Sequence, residues 1–161
     1  MTDVRLKNSS QTDMKNYEID ISRSDEHASS FTREAIADFL FHHLDEYGDS
    51  KDAILNCIGY AYGDKPGQSG FILIAHSQGD ILGVAIVNNT NMKGYIPEHI
   101  LVYIAVHGEA RGAGIGKALM ERTIEETHGD IALHVEPDNP AYHLYEKYGF
   151  NNKYLEMRLT R

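Results

Sequence analysis

The sequence predicts an α/β fold, an α+β arrangement around a mixed sheet, in a single domain over residues 17–161. Two observations support this prediction. Short apolar runs, typical of strands, alternate with apolar stripes at helical spacing. No internal repeat or Pro/Gly-rich linker divides the 161 residues, a length that suits one domain with a core. Residues 1–16 have no periodic apolar pattern, so we expect a polar, mobile N-terminal segment.

The first half of the domain has the pattern of a strand, two helices and a hairpin. Residues 17–21 alternate apolar and polar, as a half-buried strand does. Two apolar stripes then predict a helix that ends at Gly48 and a shorter helix that ends near Gly63. The apolar runs 71–75 and 81–87 flank a glycine-containing turn and predict a hairpin covered by helices on both faces. The first stripe comprises Ile36, Phe39, Leu40, His43, Leu44 and Tyr47.

The second half alternates strands and helices. A strand is predicted over residues 99–106, followed by a glycine-rich loop and a helix from Ile115 to about Thr127. A short strand over 130–135 precedes a helix whose stripe covers 141–148, and residues 152–159 are expected to form the last strand. The predicted order is therefore β-α-α-β-β-β-α-β-α-β.

The glycine-rich loop has the composition of an anion site. Gly112, Gly114 and Gly116 free the backbone to approach a ligand closely. The following helix directs unpaired N–H groups and its positive dipole end at the same point. Arg111 and Lys117 add positive charge. The expected ligand is a phosphate or pyrophosphate.

Spacing separates three interpretations of this loop. A P-loop fails because Arg111 stands at its first glycine position and Ala118 at its hydroxyl position. A Rossmann fingerprint fails because Lys117 replaces its third glycine. The third pattern, Arg-x-x-Gly-x-Gly, is met at Arg111, Gly114 and Gly116.

A second motif lies downstream, over residues 141–150, and reads Ala-x-x-Leu-Tyr-Glu-Lys-x-Gly-Phe. Together the two motifs resemble those of the GNAT superfamily, the acyl-CoA-dependent N-acyltransferases, and the resemblance covers about residues 17–161. It implies the GNAT fold, a central mixed β-sheet with splayed central strands flanked by helices. It also implies acetyl-CoA as co-substrate, without a metal, and transfer of its acetyl group to a primary amine.

The resemblance also assigns cofactor contacts. Backbone groups of Ile104 and Val106 would bind the pantetheine arm, and the loop would hold the pyrophosphate. Counting from the preceding strand selects Asn139 as a side-chain contact, whereas counting back from Tyr145 selects Asp138. We favour Asn139, because a carboxylate beside phosphates is unfavourable. The expected cofactor-binding residues are Ile104, Ala105, Val106, Arg111, Gly112, Ala113, Gly114, Ile115, Gly116, Lys117, Asn139, Tyr142 and Tyr145.

Three residues are the catalytic candidates. By resemblance, Tyr145 is the general acid that protonates the coenzyme A thiolate. The base is open between His134, where some protein N-terminal acetyltransferases carry Glu, and Glu98 acting through water. A chain of solvent molecules is a third alternative. Val102 stands where some histone-acetylating members carry their base and cannot serve, and Tyr103 is expected to face away from it as a packing residue.

The amino-acid composition excludes some classes of binding partner. The net charge of −9 argues against nucleic acid and anionic membrane. No apolar run approaches the ~20 residues of a membrane span, and residues 1–15 lack the apolar region of a signal peptide. A single cysteine suits a reducing cytoplasm, and the scattered histidines predict no metal site. Acidic residues near the connection between the first two helices could attract a cationic amine; they are Asp45, Glu46, Asp49 and Asp52.

Three functions follow from these patterns. The leading one is an acetyl-CoA-dependent N-acetyltransferase acting on a small molecule or peptide amine. A protein N-terminal acetyltransferase and a non-catalytic acyl-CoA-binding sensor are the alternatives. The sequence does not identify the amine, and it leaves open whether the chain forms a homodimer, as family members frequently do.

Overall fold

The computed structural model describes residues 16–25 and 31–161. The predicted N-terminal segment lies outside the described residues apart from Asn16. The strands are β1 (Glu18–Ser22), β2 (Gly70–Ser77), β3 (Asp80–Asn89), β4 (His99–Val106) and β5 (Ile131–Ala132). The helices are α1 (Arg33–His43), α2 (Lys51–Ala61), α3 (Ile115–Glu126) and α4 (Ala141–Lys147).

The five strands form one mixed sheet in the order β1-β2-β3-β4-β5. The pairs from β1 to β4 are antiparallel, whereas β4 and β5 are parallel. One core lies between the sheet and α1 with α2, and a second core lies between the opposite face and α3 with α4. The prediction of an α/β fold with helices on both faces is confirmed. Within the described residues, no helix is both long and apolar enough to cross a membrane.

The two N-terminal helices begin at side-chain caps. The Thr32 hydroxyl accepts the Ala35 N–H at 3.1 Å, and the Ser50 hydroxyl accepts the Ala53 N–H at 3.2 Å. The prediction that the first helix continues to Gly48 is wrong. The α-helix ends at His43 because Asp45 has a φ of 51°, and a short 3₁₀ turn (Asp45–Tyr47) follows.

A β-bulge interrupts the ladder between β3 and β4. Leu101 pairs with Val87 and Tyr103 pairs with Ile86, so Val102 is the extra residue on β4. Both Val102 and Tyr103 pack against the core beneath α1 and α2. The prediction that these two side chains face opposite sides is therefore wrong, since it assumed unbroken alternation along the strand.

The C-terminal part of the sheet is smaller than predicted. The fifth strand was expected over residues 130–135 but comprises only Ile131 and Ala132, because beyond them it has no ladder with β4. The prediction of a last strand over residues 152–159 is wrong. Residues 151–161 form neither helix nor strand and are exposed, since they lie along no other strand.

Candidate active site

The sheet opens between β4 and β5. Only two residue pairs join these strands, His99 with Ile131 and Ile100 with Ala132. Residues 101–106 of β4 have no strand partner on that side among the described residues. The opening, which we call the β4–β5 slot, presents unused backbone groups of β4, and such groups can bind an extended ligand as an added strand would.

The glycine-rich loop lies at the end of β4. Gly112 and Gly114 have φ values of 88° and 82°, a region that residues with a Cβ rarely adopt. A Cβ on either residue would meet nothing within 4 Å, so open space lies on that side of the loop. A Cβ at Gly116 would lie 3.5 Å from the Val106 side chain and 3.9 Å from the Leu144 side chain, where β4, α3 and α4 meet. The loop therefore combines a left-handed backbone with free space, as a phosphate cradle requires.

The N-terminus of α3 has no negatively charged side chain that would compete with an anionic ligand. Gly114 stands at its N-cap without a side-chain hydrogen bond, and the first turn carries no acidic residue. Arg111 and Lys117 have exposed side chains and lie 3.8 Å from Asp45 and 3.9 Å from Glu121, respectively. Exposed pairs at these distances are weak. Both cations therefore remain available to an anion at the helix N-terminus.

Tyr145 lies on α4 with a buried ring. Its side chain packs in the second core, and its ring centroid is 6.1 Å from that of Phe150. Among the described residues its hydroxyl has no hydrogen-bond partner. Burial raises the pKa of Tyr145 to about 12, so the phenol keeps its proton at neutral pH.

The turn before α4 holds Asn139 and Asp138. The Asn139 side-chain oxygen accepts the N–H of Ala141, the first residue of α4, at 2.9 Å, which leaves the amide NH₂ group of Asn139 unused among the described residues. Asp138 is exposed, and its backbone carbonyl accepts the Tyr47 hydroxyl at 3.3 Å. Which of the two contacts a cofactor stays a prediction. Asn139 has the free donor that a phosphate or amide oxygen would need.

The connection between α1 and α2, residues 44–50, reaches three sides of the slot. Asp49 accepts the Tyr103 hydroxyl of β4 at 2.5 Å. Tyr47 donates to the turn before α4, and the Asp45 carboxylate lies 3.8 Å from Arg111 in the glycine-rich loop. We call this connection the strap. It lies on the α1–α2 side of the sheet, opposite α3 and α4.

The two base candidates lie in different surroundings. His134 is exposed between Leu133 and Val135, which pack against the second core. It forms no hydrogen bond or ion pair with another described residue. The Glu98 carboxylate accepts the Asp130 N–H at 2.7 Å, and backbone hydrogen bonds lower the pKa of that carboxyl, Asp130 first among them. Glu98 thus joins the start of β5 to β4, and a lowered pKa makes it a weaker base.

Sequence reasoning missed a pair of histidines below the strap. The ring centroids of His43 and His107 are 4.3 Å apart, and the positive charge of Arg111 disfavours protonation of both rings. Burial, followed by the charges of His107 and His42, lowers the pKa of His43 to about 4. The His107 Nδ1 accepts the Glu109 N–H at 3.1 Å, so His107 caps the short 3₁₀ turn Gly108–Ala110 that follows β4. The two lie 64 positions apart, so no local pattern links them.

One cluster of possible metal ligands lies elsewhere, on β1 and β2. Ligand atoms of Glu18, Asp20 and His76 lie within 4.8 Å of one another. The His76 Nε2 is 2.9 Å from the Asp20 carboxylate, a cross-strand hydrogen bond that accounts for the arrangement. This cluster lies on the edge strand β1 and its neighbour β2, at the end of the sheet opposite β5.

One protein-family model matches the part of the chain that contains the candidate site. A family model described as an acetyltransferase (GNAT) domain matches residues 68–152, which include the slot, the glycine-rich loop and α4. The chain belongs to the GNAT family of acetyltransferases. The resemblance drawn from the two motifs is thereby confirmed.

Individual known proteins are similar to parts of this chain. A 5-NmdU N-acetyltransferase of Pseudomonas phage PaMx11 is 35% identical over 83 residues, 50% of this chain and 57% of the phage protein. The human cysteine-rich protein 2-binding protein is 39% identical over 57 residues, 35% of this chain and 7% of its own length. Among solved structures, the aminoglycoside N-acetyltransferase AAC(6')-Iy in complex with CoA superposes with a TM-score of 0.62 at 17% identity, covering 91% of this chain and 96% of that one. The last similarity concerns the fold.

Proposed function

We propose that this GNAT protein transfers an acetyl group from acetyl-CoA directly to a primary amine of a small molecule or peptide. The observation that carries this proposal is the β4–β5 slot, which ends at the glycine-rich loop and lies beside α4. A ligand bound there would place its anionic part at the start of α3 and its extended part along β4. Coenzyme A has this combination of a pyrophosphate and an amide-containing arm.

The residues present fit acetyl-CoA. Gly112 and Gly114 leave room for a pyrophosphate beside free N–H groups, and Arg111 and Lys117 supply its counter-charges. Backbone groups of Ile104 and Val106 would bind the pantetheine amides, with Ala105 between them. Ala113 and Ile115 contribute loop backbone, and Asn139 and Tyr142 would border the arm at the start of α4.

The chemistry requires the amine nitrogen to attack the thioester carbonyl carbon, after which the carbon–sulfur bond breaks. The thiolate then needs a proton, and Tyr145 is the donor that we propose. Its pKa of about 12 exceeds the ~8.5 of an ordinary thiol. Full transfer is therefore uphill, so the hydroxyl first donates a hydrogen bond to the developing thiolate. Solvent returns the proton to any phenolate that forms.

The attacking amine must also lose a proton. His134 is the favoured base, because it is exposed and free of competing hydrogen bonds among the described residues. Glu98 is less suited, because its carboxylate is bound to the Asp130 N–H. A solvent chain without a dedicated base remains the alternative. The acidic strap would favour a cationic acceptor near the opening.

The test measures thiol release from acetyl-CoA across amino acids, polyamines, aminoglycosides, peptides and 5-NmdU. The last acceptor is included because of the 35% identical phage protein, and peptides address the N-terminal acetyltransferase alternative. We expect turnover with at least one amine. Binding of coenzyme A without turnover on any acceptor would favour the sensor alternative, and no binding would refute the proposed function.

Tyr145→Phe tests the acid on the best acceptor. Kcat should fall by about 10²-fold or more, the usual contribution of a positioned acid, while the Kd for coenzyme A stays within about twofold. Tyr148→Phe is the matched control at the C-cap of the same helix, since its hydroxyl donates to Glu121 at 3.0 Å. Equal activity of Tyr145→Phe and Tyr148→Phe would remove the proposed acid role.

A further inference from the structure

The connection between α3 and β5 is held by two residues at the N-terminal end of β4. Glu98 lies directly before β4, and its carboxylate accepts the Asp130 N–H at 2.7 Å. His99 donates its Nε2–H to the His128 carbonyl oxygen at 2.8 Å and its backbone N–H to the Asp130 carbonyl oxygen at 3.1 Å. We call these three contacts the clamp. The clamp lies at the closed end of the β4–β5 slot, because His99 is the first β4 residue that pairs with β5.

The Glu98 side chain connects two segments of the chain. Backbone hydrogen bonds from Asp130, from Glu98 itself and from Gly94, in decreasing order, lower the pKa of its carboxyl. The donors therefore come from the turn before β5 and from the segment before β4. Hydrogen bonds to a charged carboxylate are about twice as strong as those between neutral groups. This side chain can therefore fix the two segments relative to each other.

Gly129 leaves room for the Glu98 carboxylate. It lies in the same turn as Asp130 with a φ of 102°, and a Cβ on it would lie 2.6 Å from the Glu98 Oε2. The three atoms nearest to that Cβ position all belong to the Glu98 side chain. A methyl group at position 129 would therefore push the carboxylate away from the Asp130 N–H.

The course of β5 depends on few other contacts. Two residue pairs join it to β4, and among the described residues no ladder with β4 continues beyond Ala132. A ladder of two pairs holds a strand only weakly. Leu133 and Val135 are only partly buried against the second core. The position of residues 133–135 beside the slot, including the base candidate His134, therefore follows from where the clamp sets the start of β5.

We propose that Glu98 is a positioning residue for acetyl transfer, which fixes the start of β5 through the Asp130 N–H and thereby sets the width of the β4–β5 slot. This inference rests on the proposed function, because that function places the pantetheine arm in the slot. A positioning residue needs only an oxygen that accepts the Asp130 N–H, whereas a base needs a group that takes up a proton. Displacing the reacting atoms by ~1 Å can cost about 100-fold in rate, so turnover depends on the width of the slot.

Two substitutions of Glu98 separate these roles in assays with acetyl-CoA and the best acceptor. Glu98→Ala removes the accepting oxygen, so kcat should fall at least about 10-fold. The Kd for coenzyme A should rise about fivefold, as the loss of one hydrogen bond would give. Glu98→Gln keeps an oxygen for the Asp130 N–H but has no basic group. It should restore kcat to within about threefold of the wild type, with an unchanged pH profile.

Glu125→Ala is the matched control, because it removes an exposed glutamate near the C-terminal end of α3. It should change neither kcat nor the Kd for coenzyme A. A loss of activity in Glu98→Gln as large as that in Glu98→Ala would assign Glu98 the role of a base and overturn the proposal.

Gly129→Ala tests the clamp from its other side. In the wild-type background it should lower kcat about as much as Glu98→Ala does, because the added Cβ displaces the carboxylate. In the Glu98→Ala background it should have little further effect, because the displaced group is already absent. Losses that add in the double variant would show that the two positions act independently, which contradicts the proposal.

Amide hydrogen exchange gives a measurement that does not require turnover. Residues 131–135 should exchange about fivefold faster or more in Glu98→Ala than in the wild type or Glu98→Gln, while β2 and β3 keep their protection. Unchanged exchange of residues 131–135 in Glu98→Ala would refute the clamp and leave the proposed function intact. If β2 and β3 also lose protection, the variant has lost its fold, and the same measurement on Gly129→Ala decides. A wild type that binds no coenzyme A would instead refute the proposed function.

Discussion

The two walls of the β4–β5 slot are built in different ways. The wall that we propose binds phosphate, residues 111–117 (the phosphate wall), comes from one continuous stretch whose glycines and helix start act locally. The strap, residues 44–50, meets its partners across the chain, since Asp49 and Tyr103 are 54 residues apart and Tyr47 and Asp138 are 91 apart. The phosphate wall can therefore serve a common ligand in many chains. The strap can change its contacts without disturbing that wall, which suits the recognition of a particular acceptor.

Gly114→Val would cause the largest effect, on the phosphate wall. Valine at a φ of 82° costs roughly 1–2 kcal/mol in backbone strain, and its side chain would occupy the open space before α3. We expect the Kd for coenzyme A, measured by calorimetry, to rise at least about 100-fold, with little change in the Kd of the free amine.

Gly67→Val is the matched control for that substitution. Gly67 also has a φ of 82° and nothing within 4 Å of its Cβ position, but it lies in the loop before β2. The Gly67→Val variant should lose about as much folding stability as Gly114→Val but keep the affinity of the wild type for coenzyme A. Equal losses of affinity in the two variants would show that strain, rather than the phosphate wall, explains the effect.

Removing the Asp49–Tyr103 contact tests the strap. Asp49→Asn weakens the 2.5 Å hydrogen bond that holds the strap against β4. We expect the KM for the acceptor to rise about 10-fold, the equivalent of 1.4 kcal/mol, while the KM for acetyl-CoA changes little. The double variant with Tyr103→Phe should add little further, because both substitutions remove one contact. An unchanged KM for the acceptor would show that the strap does not contribute to acceptor binding.

Lys117→Ala should give a smaller effect on the phosphate wall. The lysine is 69% exposed and weakly paired with Glu121, so its attraction to a pyrophosphate is screened by salt. We expect the Kd for coenzyme A to rise about three- to fivefold at low salt, and less at 0.5 M salt, where the Debye length is shorter. Lys65→Ala, an exposed lysine in the loop before β2, should change neither value.

The smallest predicted effect is a pH dependence beneath the strap. Since the pKa of His43 is about 4 in the folded chain and ~6.5 when unfolded, the unfolded chain binds a proton first as the pH falls. This contribution to stability is complete above about pH 6.5 and is lost progressively towards pH 4. His107, His42 and Arg111 oppose the charged form, whereas Asp45 favours it.

Thermal unfolding at pH 6.5 and 5 measures this contribution. The ring is half exposed, so we expect a loss of at most about 1 kcal/mol, or about 2–4 °C. His43→Gln should show a smaller decrease in Tm over the same interval. The range stops at pH 5 so that Asp25 and Asp64 stay ionised. Their hydrogen bonds to Arg33 lower the pKa values of both carboxyls. An equal decrease in both proteins would exclude His43 as the source.

Local patterns predicted most of the fold. The strand His99–Val106 has the bounds expected for it, and the helix from Ile115 ends one residue before the predicted position. Gly149 follows α4 with a φ of 89°, as a helix-ending glycine does. The failures occurred where a remote partner or an irregular backbone decides the outcome. These are the bulge at Val102, the end of α1 at His43, and the tail without a partner strand.

The amino-acid sequence was sufficient to predict the family and the glycine-rich turn that begins α3. Both rest on glycine conformations, helix starts and apolar periods that operate within about a dozen residues. The Asp49–Tyr103 contact of the strap and the His43–His107 pair required the folded chain, because each brings together atoms more than 50 positions apart. The β4–β5 slot also required it, because the length of the β4–β5 ladder is decided between two separate strands. The roles proposed for Tyr145, His134 and the cofactor contacts remain predictions. The buried phenol and the open slot are the structural reasons to test them.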